Sequence, residues 1–274
     1  MFKIIIMALL IFMGMVGYDN ITDKAQPTTP VQQEQQKVSK HEKSAAMALF
    51  VSLLPPKEEW PSPVHKFYLA FNMDEVIDPI RQNPNWTGLD AMSRDIPQAL
   101  IAIEDHAFYN HGAIAVEGIL RAALANINAG EVVQGGSTLT QQFVKNVFLS
   151  HEQSMERKIE EAVLSLMLED NYSKDEILEL YLNTTYFGAG STGIKQASRT
   201  YFGKAPSALT LAEAAVIASL PYAPTGLNPL ENPEGCKKRQ LLVLAAMHKY
   251  GMINQGQLAE AKAEKIRLTN GTVM

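Results

Sequence analysis

Apolar positions along this chain recur three and four residues apart, and helix-start signals stand in front of several of these runs. Asp95-Ile96-Pro97 offers a cap and an early proline before Gln98–Glu104, where Leu100 and Ile103 fall on one face. That helix delivers Glu104 and Asp105 at its buried end, where a carboxylate is partly removed from water. Ile114–Ala129 carries a second helical pattern, ending near Gly130. Gly135-Gly136 then opens a loop in which Ser137 or Thr138 can cap the helix bearing Gln141, Gln142, Lys145 and Asn146. Ser150-x-x-Gln153 reads as a capping box for the helix through Arg157, Glu161 and Leu168. Ser173-x-x-Glu176 and Thr210-x-x-Glu213 repeat the signal ahead of Ile177–Leu182 and Ala214–Leu220. A last helix from about Lys238 to Tyr250 stops at Gly251. Strand-like alternation is sparse, a short ribbon near Phe67–Phe71 being the one place expected, and no internal repeat is apparent. The pattern predicts a mainly α fold.

The N-terminus departs from this pattern. Lys3 precedes an uncharged apolar run, Ile4–Gly17, and Asp19, Asn20 and Asp23 follow it. A spanning helix needs about 20 residues, so this run suits a short anchor or the apolar region of a signal peptide. With no small-residue cleavage pattern near Gly17 and no cysteine to carry a lipid, the uncleaved anchor is the preferred reading. Both readings put the remainder outside the cytoplasm. Residues from about Asp19 to Lys43 are rich in Gln, Thr, Pro, Glu and Lys and read as a flexible tether. Ala45–Leu54 is a second apolar stretch, either a core helix or a segment lying in a membrane surface. The expected organisation is an anchor or signal segment over 1–18, a linker with an apolar segment over 19–60, and a catalytic domain over 61–270.

Composition narrows the function. At 274 residues and 46% hydrophobic content, the chain can bury one sizeable core and a minor lobe. A net charge of −5 argues against a nucleic-acid binder. Cys236, the single cysteine, can form neither an intrachain disulfide nor a metal cluster and reads as a buried small residue. No dinucleotide fingerprint, Walker loop or Cys/His cluster occurs, so no organic cofactor is expected.

Two carboxylates stand out, Glu104 and Glu161, each in an apolar neighbourhood with cations near in sequence. Arg157 and Glu161 are four apart and share a helix face. A lone pair of that kind is ordinarily a solvated ion pair. Here Lys145, Arg157 and Lys158 all adjoin the Gly-Gly-Ser-Thr loop. Paired carboxylates serve glycosidic chemistry, in which a proton moves and an oxocarbenium-like transition state is stabilised. A cationic clamp beside them fits a pyrophosphate leaving group, which needs positive charge more than a proton. The combination points to glycosyl transfer from a sugar-diphosphate donor.

On these residues the chain resembles a known family. E-D-x-x-F-Y-x-H at Glu104–His111, G-G-S-T-L-T-Q-Q-x-x-K-N at Gly135–Asn146, R-K-x-x-E at Arg157–Glu161 and I-L-E-L-Y-L-N at Ile177–Asn183 are similar to the hallmark motifs of the peptidoglycan glycosyltransferases, glycosyltransferase family 51. Tyr186-Phe187-Gly188, Tyr201–Lys204 and the Leu211–Pro229 run agree, and the resemblance covers roughly residues 90 to 250. It implies a lysozyme-like fold with a large helical lobe and a smaller lobe that contacts the membrane. The implied activity is polymerisation of lipid II, with the growing glycan held on undecaprenyl pyrophosphate as donor. By motif, Glu104 would be the general base, and Glu161 the second essential carboxylate near the pyrophosphate. Lys145, Arg157 and Lys158 would hold phosphates. Ser137, Thr138, Gln141, Gln142, Asn146 and Asn183 would line the substrate sites, and Asp105, Phe108 and His111 would shape them. A divalent cation, magnesium or manganese, would sit beside Glu161 if anywhere.

The implied setting is the outer face of the inner membrane, with other cell-wall synthesis proteins as further partners. Where the family usually has His-x-Gly followed by an apolar residue and often Asp, this chain has His111-Gly112-Ala113-Ile114-Ala115. That leaves the loop geometry open. No S-x-x-K or K-T-G occurs, so no transpeptidase activity is expected. The competing readings are a peptidoglycan-cleaving enzyme of the same fold and an inactive cell-wall scaffold.

Overall fold

The structure, a computed structural model, describes residues 68–69, 72–129, 135–149 and 154–274. The N-terminal apolar run, the tether and the Ala45–Leu54 stretch therefore lie outside the described residues. Among the described residues ten α-helices have both ends defined. They are α1 (Asp74–Arg81), α2 (Asp95–Glu104), α3 (Val116–Ala129), α4 (Leu139–Phe148) and α5 (Met155–Asn171), then α6 (Lys174–Thr184), α7 (Ile194–Phe202), α8 (Leu211–Ser219), α9 (Pro233–Lys249) and α10 (Gln255–Ala263). Among the described residues there is no strand, only isolated bridges between Tyr186 and Thr192 and between Arg267 and Val273. The mainly α expectation holds. The ribbon expected near Phe67–Phe71 does not appear where it can be judged, because Tyr68 and Leu69 are helical.

Capping residues set several helix starts. Thr138, Ser173 and Thr210 each accept from the backbone N–H three residues on, while Gln141, Glu176 and Glu213 return the bond in full capping boxes. Two expected starts shift. Asp95 is the first helical residue of α2 and caps nothing, since Arg94 before it already has helical dihedrals. The cap of α5 is Ser154, whose hydroxyl accepts from Arg157 N, while Ser150 and Gln153 lie outside the described residues. The last long helix begins earlier than expected, at Pro233 behind the Asn232 cap.

Two packed groups of helices carry the core. One is α2, α8 and α9 and the other is α4, α5 and α6. From Ala212 to Ser219 every residue of α8 is buried, and its alanines let α2 and α9 approach closely. In the second group Phe143, Val144, Leu168, Ile177, Leu178 and Leu180 are enclosed. Each such side chain contributes about 1.5–3 kcal/mol by leaving water. Cys236 is fully buried, as its sequence context implied, and burial pushes its thiol up to about 11.

The loop after α6 is pinned by a close approach. Tyr201 Oη donates to Phe187 O at 2.7 Å. Next to it Gly188 has φ +86°, and a Cβ there would lie 2.3 Å from Pro224 O. Glycine alone fits both demands. Gly188→Ala should therefore destabilise the fold by about 2–4 kcal/mol, from left-handed strain plus the backbone clash. Chemical unfolding measures this, and an unchanged midpoint would contradict the close packing of the two loops.

Candidate active site

α2 is apolar along its length and ends by presenting Glu104, with Asp105 turning the chain away at φ −158°, ψ 70°. Although Glu104 is not wholly enclosed, burial is the main influence on its carboxyl and pushes its pKa above the ordinary value. A hydrogen bond from Gln142, then the charges of Arg239 and Lys145, pull the other way. Gln142 Nε2 donates to Glu104 Oε2 at 3.0 Å. Tyr181 Oη donates to Gln142 Oε1 at 3.1 Å. Those two bonds fix which end of the amide faces the carboxylate. Tyr181 is itself enclosed, and burial and the Glu104 charge both push its pKa up, so it remains a donor. Glu104 Oε1 takes no hydrogen bond among the described residues, which leaves it available to a substrate hydroxyl.

A clasp joins the end of α2 to the start of α4. Asp105 Oδ2 accepts from Leu139 N at 3.0 Å, at the positive end of α4, and Asp105 Oδ1 meets His111 Nε2 at 2.6 Å. His111 Nδ1 faces Gly112 O at 2.6 Å, and Thr138 Oγ1 donates to Ala113 O at 2.7 Å. The atypical Gly112–Ala115 loop is thus tied to the α4 cap through its backbone, which does not depend on its side chains. Gly136 completes the contact, since a Cβ there would stand 3.0 Å from Ile119 Cα on α3.

Glu161, 2% exposed, forms the second centre. Arg157 Nη1 lies 3.5 Å from its Oε2, and Lys158 Nζ bonds its Oε1. Lys158 also donates to Ser137 Oγ at 3.1 Å, joining this ion group to the Gly-Gly-Ser-Thr loop. Arg157 Nε is buried with no hydrogen-bond partner among the described residues. Such a donor is costly to leave unmade, and an anionic oxygen would satisfy it. A divalent cation fits these residues poorly. Glu161 already faces two cations, and among the described residues no three His, Cys, Asp or Glu side chains cluster as metal ligands would.

The structure brings together Glu104 with Gln142, and Glu161 with Arg157, Lys158 and Ser137. Lys145 is exposed, and its charge reaches Glu104. Asn146 is exposed one position on. Other expected lining residues have structural work instead. Thr138 and Gln141 are buried in the α4 capping box, and Phe108 is wholly enclosed. Asn183 accepts from Thr87 N at 2.9 Å and donates to Thr87 O and Glu179 O, so its amide is occupied. Asp105 and His111 shape the site through the clasp. Tyr181 and Arg239 were not anticipated. Tyr181 falls within the Ile177–Asn183 motif, from which only Asn183 was singled out, whereas nothing in the sequence connects Arg239 with Glu104.

A desolvated carboxylate joined through α4 and its leading loop to an ion group with an unpartnered arginine Nε, on a helical scaffold, suits an enzyme that transfers sugars from an anionic leaving group. The description "Transglycosylase" belongs to the family whose model matches residues 73–248. The chain belongs to this family, the peptidoglycan glycosyltransferase domain found in class A penicillin-binding proteins. A putative transglycosylase of Cupriavidus necator is 41% identical over 194 residues, 71% of this chain and 84% of its own. Penicillin-binding protein 1A of Neisseria flavescens is 44% identical over 68% of this chain and 23% of its own length. For penicillin-binding protein 2D of Bacillus subtilis the figures are 45%, 66% and 26%. The chain thus spans about a quarter of these two penicillin-binding relatives.

Two outcomes follow for Glu104. Its raised pKa means the ionised form is disfavoured in the folded state at neutral pH, a penalty absent once pH falls below the unfolded value. Glu104→Gln should therefore be more stable than wild type at pH 7, with the advantage fading in acid, as thermal unfolding across pH will show. Gln142→Leu removes a bond to the charged form, so the acidic limb of the kcat/KM profile should move to higher pH. Tyr181→Phe should move it the same way by less. Limbs unchanged in both variants would contradict the role given to the amide.

Proposed function

We propose that this protein polymerises lipid II into peptidoglycan glycan strands by inverting transfer, releasing undecaprenyl pyrophosphate. The observation that carries the reading is a desolvated Glu104 together with an ion group at Glu161 whose arginine Nε has no acceptor among the described residues. Glu104 Oε1 takes the proton of the acceptor's 4-hydroxyl. The freed oxygen attacks the anomeric carbon of the donor from the face opposite the pyrophosphate. As the new β-1,4 bond forms, the old C–O bond breaks and its electron pair leaves on the pyrophosphate. Arg157, Lys158 and Lys145 hold that charge, Arg157 through the Nε–H that no group among the described residues satisfies. Electrostatic holding of this kind acts in a site where water is scarce and is worth most there.

A membrane setting is part of the same proposal. Met155, Ile159, Val163 and Leu166 form an exposed stripe along α5, and Val116, Ile119, Leu120 and Ile127 of α3 are also exposed. Apolar faces of this extent on helices fit a lipid surface. Among the described residues no helix is long and apolar enough to cross a membrane. The proposed anchor is the N-terminal run Ile4–Gly17, with the catalytic domain on the outer face of the inner membrane. Other cell-wall synthesis proteins are proposed partners in that compartment.

Incubation with labelled lipid II in detergent, followed by separation of products by size, tests the activity. The expected product is a polymer that lysozyme digests, lost by at least a hundredfold in Glu104→Gln, in keeping with the ~10²–10⁴ contributed by a positioned base. Cleavage of finished glycan without polymer from lipid II would contradict it. A magnesium or manganese titration belongs in the same assay. The paired state of Glu161 leads us to expect activity that persists in a chelator.

A further inference from the structure

The corner where α5 ends and α6 begins carries three charged side chains that the reaction above does not use. Glu169 lies in the last turn of α5, and Lys174 and Asp175 open α6. Lys174 Nζ donates to Glu169 Oε1 at 2.7 Å. The same oxygen accepts from Thr140 Oγ1 at 2.5 Å. Lys174 Nζ also stands 4.5 Å from the ring centroid of Phe108, which is wholly enclosed. Beside it Tyr109 Oη donates to Asp175 Oδ1 at 2.7 Å. One corner of the scaffold thus grips the loop after α2 and the start of α4 together.

Stability does not account for Lys174 in this place. A cation at the first position of a helix opposes the positive end of the helix dipole. Its ion pair with Glu169 is largely withdrawn from water, the two side chains being 20% and 14% exposed, and the loss of hydration offsets much of their attraction. What the pair does supply is geometry. Because Glu169 Oε1 takes both donors, Thr140 and Lys174 are fixed relative to one another.

Both gripped segments lead directly to Glu104. Phe108 lies four residues beyond it, and Phe108 N donates to Asp105 O at 2.9 Å. Thr140 lies two residues before Gln142, so on α4 the two side chains point to different faces. Thr140 is buried against the corner, while Gln142 Nε2 donates to Glu104 Oε2. Holding Thr140 therefore sets how far α4 is turned about its axis, and with it the aim of the amide.

We propose that Glu169 and Lys174 are positioning residues, which act through Thr140 and Phe108 to hold the Gln142 amide on the Glu104 carboxylate. The inference deepens the lipid II reading above and rests on it for its kinetic part. The charges that weigh most on Glu104 are those of Arg239, Lys145 and Asp105, so the corner acts through geometry and not through its own charge.

The test uses the full chain in detergent. The Glu104 carboxyl is titrated by carbon NMR, its signal assigned by its absence in Glu104→Gln, and kcat and KM are measured with labelled lipid II. Lys174→Met keeps an unbranched chain against Phe108 and removes the charge. It should lower kcat about tenfold, within the ~10²-fold that a misplaced group can cost, and leave KM within about twofold of wild type. Thr140→Val removes a hydroxyl and no charge, and should act in the same direction by less. In both variants Glu104 should titrate at higher pH than in wild type, since the Gln142 bond favours the ionised form. Lys174→Arg keeps a cation beside Phe108 and Glu169 and should restore most of kcat. In Lys174→Met combined with Gln142→Leu, the titration should shift no further than in Gln142→Leu alone.

Three results would overturn the proposal: an unchanged Glu104 midpoint in Lys174→Met and Thr140→Val, shifts that add in the double variant, or a kcat that arginine fails to restore. The last, with a lowered thermal midpoint, would make the corner a support of the fold alone. Should Lys174→Met not fold, the titration of Thr140→Val decides. If wild type fails to polymerise lipid II while the titrations move as expected, the functional reading falls and the positioning stands.

Discussion

A carboxylate carried out of water at the end of an apolar helix keeps its charge only if something nearby stabilises it. For Glu104 the leading stabiliser is the amide of Gln142, ahead of the charges of Arg239 and Lys145. Because Tyr181 Oη is committed to the other end of that amide, the group cannot rotate without losing a buried hydrogen bond. The arrangement holds one carboxylate oxygen and leaves the other for chemistry. It also needs α2, α4 and α6 in fixed register, which explains why so much of the fold is devoted to holding α4 in place.

The segment from Gly135 to Asn146 is the piece shared by both centres. Its loop touches the Glu161 group through Ser137 and Lys158, its first backbone N–H meets Asp105, and its second turn carries Gln142. One short helix therefore couples Glu104 to the Glu161 ion group, the base and the leaving-group clamp of the proposed reaction. The tight glycine contact of Gly136 with α3 and the bond from Thr138 to Ala113 seat that helix from below. The altered loop at Gly112–Ala115 is compatible with this seating because its role is played by backbone carbonyls.

Much of this was legible in the sequence, for identifiable reasons. The capping boxes at Ser173 and Thr210 are local chemistry and appeared where their side chains indicated, and Thr138, one of two candidates, caps α4. Glu104 at the end of α2, and Arg157 on the same face as Glu161, follow from helical periodicity alone. What sequence could not separate was lining from support. Thr138, Gln141 and Asn183 are polar residues inside hallmark motifs, but their donors and acceptors are used within the scaffold, a distinction set by partners distant in the chain such as Thr87. Arg239 was invisible for the same reason, since its neighbour Glu104 lies far earlier in the sequence and only the packing of α9 on α2 brings them near. Asp95 looked like a cap because the helix was taken to begin after it, whereas Arg94 had already turned.

The central claim is that Glu104 is a base made by desolvation and held in check by Gln142. Carbon NMR of protein labelled at the glutamate carboxyl, with the Glu104 signal assigned by its absence in Glu104→Gln, titrates that group directly. The account predicts a midpoint above the ordinary glutamate value of 4.5. A midpoint at or below that value would mean the carboxyl is solvated or ion-paired, and would contradict the account.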